Sequence, residues 1–176
     1  MMDNRLLAPV AIVLALSASA SAAESDGTTL SIEDGNGHVL ATFSQSQLRS
    51  SFTQHELATA TPWSPNGKVL RYRGAYLSDI LRRYSLSTTD IEAAAADNYV
   101  TTLAAKDIST YSPLIAIDIA CEAEDTGCVA GYRPLDIQHS GPFFIVWPLA
   151  RFPQYYQETK NSIWVWFVTH LRPSNR

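Results

Sequence analysis

The chain has 176 residues, enough for one domain of ordinary size. Hydrophobic residues make up 46% and charged residues only 17%, which excludes a disordered chain and supplies a core. Thirteen Lys and Arg against 17 Asp and Glu leave a formal charge of −4, the wrong sign for a nucleic-acid binder.

In chain order, residues 1–23 read as a secretory signal. Arg5 gives a weak positive start, Leu6 to Leu16 is apolar, and Ser17 to Ala23 is all Ser and Ala. The apolar run of about 11 residues falls well short of a membrane span. No Arg-Arg pair precedes it, which predicts export of an unfolded chain. The mature part, 24–176, is about 153 residues and keeps the charge of −4. This predicts a location in the periplasm or outside the cell, in an oxidising compartment and with no membrane span after cleavage. Cys121 and Cys128 are then expected to form a disulfide pinning the acidic turn between them.

Thr28 to Glu33 alternates as a half-buried strand does, Asp34-Gly35-Asn36-Gly37 marks a turn, and His38 to Phe43 returns. Ser44 is placed to cap a short helix carrying Leu48. Phe52 to Thr61 reads as extended and 62–67 as a loop with two prolines. Val69 to Arg73 is expected to be a strand that Gly74 breaks. Leu77, Ile80, Leu81 and Tyr84 give a helix over 75–84. Ile91 to Ala96 and Tyr99 to Leu103 read as strands, and Lys106 to Tyr111 as one helical turn. Leu114 to Ala120 and Phe143 to Trp147 are apolar enough for buried strands. Arg133 to Ile137 is a short strand or loop, and Ile163 to His170 a final strand. Many short strands with few helices define a β-rich α+β domain.

Three stretches then carry a resemblance. They are Tyr72-Arg73-Gly74-Ala75-Tyr76-Leu77-Ser78-Asp79-Ile80-Leu81; Asp97-Asn98-Tyr99-Val100 with Lys106-Asp107-Ile108; and 141–148, Gly-Pro-Phe-Phe-Ile-Val-Trp-Pro, before a Trp-containing terminal strand. In this order they resemble the molybdopterin-binding domain of the sulfite-oxidase type of oxidoreductase, and more closely its small secreted stand-alone members. The resemblance covers about residues 28–171 and implies the sulfite-oxidase α+β fold in a single domain. In catalytic members of that family a cysteine thiolate ahead of the aromatic-x-Gly helix ligates molybdenum. Here the corresponding segment, 52–73, has Thr59, Thr61 and Trp63 but no Cys. A threonine hydroxyl is no substitute for a soft thiolate. Such exported enzymes generally leave the cytoplasm folded, by a twin-arginine signal that this chain does not have.

Three functional readings follow. The first is a non-catalytic domain without cofactor, binding a small molecule, anions included, or a membrane or periplasmic partner protein. The second is a molybdopterin-dependent oxidoreductase with an unusual ligand at Thr59, Thr61 or Ser64. The third is a structural assembly subunit. Arg71, Arg73 and Arg133 offer planar forks for an anion. Trp63, Tyr72, Tyr99 and Trp147 are candidate pocket walls, and His139 before Ser140-Gly141 a candidate pocket residue. Tyr155-Tyr156 and Trp164-Val165-Trp166 are candidates for an exposed aromatic patch facing a partner.

Overall fold

A computed structural model describes residues 29–174. The expected signal segment and its boundary at residue 24 lie outside the described residues. Among the described residues ten strands and four α-helices follow one another. β1 is Leu30–Glu33, β2 Val39–Phe43, α1 Gln45–Ser51, β3 His55–Thr59, β4 Leu70–Tyr76, α2 Leu77–Arg83, β5 Ile91–Ala95 and β6 Val100–Leu103. Then come α3 Ala105–Tyr111, β7 Leu114–Ala120, β8 Tyr132–Pro134, β9 Phe144–Val146, α4 Gln154–Thr159 and β10 Val168–Pro173.

The strands form two sheets. One has the order β2-β1-β10-β5-β6, with β1 and β10 parallel and the other pairs antiparallel. The other, all antiparallel, runs β3-β4-β7, and the far edge of β7 is shared by β8 and β9. β7 is therefore central and buried over six of its seven residues, as its isoleucine-rich sequence requires. The core is one cluster whose largest fully buried side chains are Trp147, Phe143 and Phe144. The chain is a single β-rich α+β domain, and among the described residues no helix is long and apolar enough to cross a membrane.

Local chemistry explains most boundaries. Asp34 accepts the amides of Asn36 and His38 at 2.8 and 2.9 Å, which shapes the β1–β2 turn. Ser44 closes a full capping box with Gln47 at the start of α1. α1 then supplies two tertiary anchors. Gln45 Nε2 reaches the carbonyls of Ile117, Leu135 and Pro142 at 3.1, 2.8 and 2.9 Å, in the gap between β8 and β9. Arg49 reaches Asp118.

Four expectations need correction. β1 is buried at all four residues rather than half-buried: β10 and β2 flank it on both edges, Leu30 and Ile32 enter the core, and His170 of β10 lies 3.6 Å from Glu33 on the other face. Gly74 does not break β4; the strand runs through it with a register shift against β7. A Cβ at Gly74 would lie 2.0 Å from the Ile115 carbonyl oxygen, so the glycine serves close backbone approach. The terminal strand begins at Val168 rather than at residue 163. Asn161–Ile163 is a 3-10 turn, and Phe167, at φ +56°, reorients the chain before β10. Finally, α4 has no sequence counterpart among the predicted elements.

Candidate functional site

The site is assembled from three segments. The first is the β5–β6 turn, where Asn98 takes a left-handed conformation and Asp97 Oδ1 accepts the Tyr99 amide at 3.0 Å. The Ala96 amide donates to the Phe167 carbonyl at 2.9 Å and ties this turn to the chain before β10. The second segment is the loop after β3. Thr61 donates its amide to Ser64 Oγ at 2.8 Å, and Ser64 returns its own amide to the Thr61 carbonyl at 3.0 Å. That closed turn presents Trp63. The third segment runs from Asn161 to Trp166. It is held by Trp147 Nε1 donating to the Ile163 carbonyl at 2.8 Å and by the Ile145 amide donating to Val165 at 2.8 Å.

Together these segments enclose a hollow of about 200 Å³ lined by Trp63, Asp97, Tyr99, Asn161, Ser162, Trp164 and Trp166. The Trp63 and Trp166 rings meet edge to face, 4.8 Å apart at 64°. Tyr99 is fixed by its hydroxyl, which donates to the Ser162 carbonyl at 2.9 Å. A second hollow of about 270 Å³ shares Trp63 and Trp166 and continues along Thr61, Ser64, Tyr72, His139 and Ser140. Burial pushes the Tyr72 phenol up to about 12, so this wall carries no phenolate near neutral pH.

The candidate residues separate into two groups. Trp63 and Tyr99 share the first hollow, and His139 lines the second. None of Arg71, Arg73 and Arg133 lines either hollow. Tyr72 points to the core side of β4, and its neighbours Arg71 and Arg73 alternate to the opposite face. There Asp118, 1% exposed, holds the Arg73 fork through Nε at 3.0 Å and Nη2 at 2.9 Å, and Arg49 at 2.6 Å. Arg73 also lies 4.3 Å over the Tyr132 ring. Arg71 is exposed, opposite Ala58. Arg133 forms ion pairs with Asp125 at 3.0 Å and Asp136 at 3.8 Å, the first without an aligned hydrogen bond. It reaches the second hollow only through His139, whose Nδ1 is 3.3 Å away.

The aromatic candidates divide as well. Trp147 is fully buried core, and Trp164, 3% exposed, is too buried to belong to a surface patch. Trp166 is half-buried, and Tyr155 is exposed. Cys121 and Cys128 are bonded to each other, and the Cys121 amide donates to the Gly131 carbonyl at 2.9 Å across the same loop. Sequence reasoning did not reach Asp97, Asn161 and Ser162 as site residues. Asp97-Asn98 signals only a turn, and nothing local signals that the turn meets residues 161–166.

No protein-family model matches the chain, and no curated protein matches it.

Proposed function

We propose that this is an extracytoplasmic binding protein: a non-catalytic domain on the sulfite-oxidase-type framework that takes a small ligand in the aromatic hollow. The observation that carries the reading is the convergence of two large exposed rings, Trp63 at 49% and Tyr99 at 39%, on one concavity with Trp164 and Trp166. Apolar area left in water favours whatever covers it, at about 25 cal/mol per Å². At about 200 Å³ the space is below the usual range for drug-sized ligands and matches a small molecule.

The donors of this chain do not fit a molybdenum centre. Both cysteines are consumed in the disulfide. Thr59 Oγ1 donates to the Ala60 carbonyl at 3.0 Å and accepts the Leu149 amide at 3.0 Å. Thr61 and Ser64 share their hydroxyls at 3.1 Å. Each is a neutral oxygen already holding the loop, and none is a soft anionic donor. No redox step is therefore derived. The disulfide and the leader-like first 23 residues support the extracytoplasmic assignment.

Elemental analysis tests this directly. Protein expressed with its own N-terminal segment and recovered from the periplasm should contain far less than one molybdenum per chain. Near-stoichiometric molybdenum with bound pterin would overturn the reading in favour of a molybdopterin-dependent oxidoreductase.

A further inference from the structure

We propose that the aromatic hollow selects a small organic ammonium ion; this rests on the reading of the hollow as a ligand site and names its ligand class. The argument is one of charge. Among the described residues Asp97 is the only charged one lining the hollow, and no Lys or Arg lines it or the hollow beside it. Asp97 Oδ1 takes the Tyr99 amide, and among the described residues Oδ2 has no partner. The lining therefore carries one uncompensated negative charge and four π-systems, whose faces are themselves electronegative.

A cation answers both features. An ammonium within about 6 Å of an indole face is attracted by the ring quadrupole, and Trp is the strongest of the aromatic partners. The Trp63 and Trp166 planes differ by 64°, so the two rings present differently oriented walls to the hollow. Elsewhere the protein supplies its own cations to aromatic faces: Arg73 over Tyr132, Arg83 over Phe52 and Lys160 over Tyr156. Among the described residues none is supplied to Trp63, Tyr99 or Trp166. Asn161, whose Oδ1 is buried without a partner, adds a neutral residue to the wall. An anion would be repelled by the Asp97 carboxylate and by the electronegative ring faces. A neutral ring would stack on the indoles and leave Asp97 unanswered.

The experiment is a calorimetric titration of the full mature protein with four probes at matched ionic strength. They are choline, n-butylammonium, 3,3-dimethylbutan-1-ol as the neutral isostere of choline, and sulfate. One or both ammonium ions should bind at least about tenfold more tightly than the alcohol, and sulfate not at all. The two ammonium arms tell a quaternary from a primary head. Trp63→Ala, a change at a half-exposed loop residue, should weaken binding about tenfold, with Trp63→Phe recovering part of it. Asp97→Asn keeps the acceptor for the Tyr99 amide and should weaken binding about threefold, an effect that shrinks as salt is raised. Unchanged near-ultraviolet circular dichroism of the variants separates lost binding from lost fold. Binding of the alcohol as tight as that of the better ammonium ion, or binding of sulfate, either one dependent on Trp63, would overturn the ammonium assignment and leave the ligand site standing. Failure of all four probes would also overturn the assignment. The non-catalytic reading is tested separately, by the molybdenum measurement.

Discussion

Asp136 shows how much of this protein's chemistry is set at single side chains. His139 Nδ1 donates to its carboxylate at 2.6 Å, the Gln138 amide donates at 3.0 Å, and the Arg133 guanidinium stands 3.8 Å away. The His139 hydrogen bond is the largest cause holding this carboxyl below its ordinary 3.8. Because the folded value is depressed, the stabilisation is present above 3.8 and is lost as pH falls through the lowered folded value. A carbon-13 NMR titration should place the Asp136 midpoint below 3.8 in the native protein and higher in His139→Ala. Equal midpoints would mean that His139 does not hold the carboxylate. The same scale explains two glycines. Gly74 sits against Ile115 backbone and Gly141 against Leu135, where an added Cβ would come within 2.0 and 2.5 Å of its nearest atom. Sequence marks such glycines as special, but it does not say whether they end a strand or admit a neighbouring chain.

Among the elements, the loop between β7 and β8 is closed by the Cys121–Cys128 bond, seven residues apart in sequence. In the chain-entropy account so short a loop is worth about 2–3 kcal/mol. Replacing both cysteines by serine should lower Tm by roughly 5–10 °C in calorimetry while leaving the hollow intact, because the loop contributes no residue to it. An unchanged Tm would mean that the bond constrains nothing in the unfolded chain. At this scale the sequence is mostly legible. Helix α1 was readable from Ser44 and Leu48, β5 from the alternation of Ile91, Ala93 and Ala95, and β7 from its apolar run. The errors cluster where tertiary contacts override pattern. Residues 163–167 alternate as a strand does, but Trp164 and Val165 are held by Ile145 and the 3-10 turn, not by a sheet ladder. α4 carries Tyr155 exposed and Tyr156 half-buried over Phe152 and Tyr111, a pattern too short to register as helical.

Over the whole molecule, function depends on what the sheets bring together. The two sheets carry the 61–67 loop, the 96–99 turn and the 161–166 segment to one place, although they are distant in sequence. Trp63 and Tyr99 were readable as pocket walls, whereas Asp97 and Asn161 were not, since only the fold makes them neighbours. The arginines behave oppositely. Arg73 and Arg133, which sequence offered to an anion, are held by Asp118, Asp125 and Asp136 within an acidic chain. The central claim is that ligand occupies the hollow walled by Trp63, Tyr99 and Trp166, and the four indole N–H groups report on it one by one. In a nitrogen-15 NMR titration with the tighter-binding ammonium probe, the Trp63 and Trp166 indole signals should move. The Trp147 signal, buried and bonded to the Ile163 carbonyl, should stay. Movement of none of them, or of Trp147 alone, would contradict a site in this hollow.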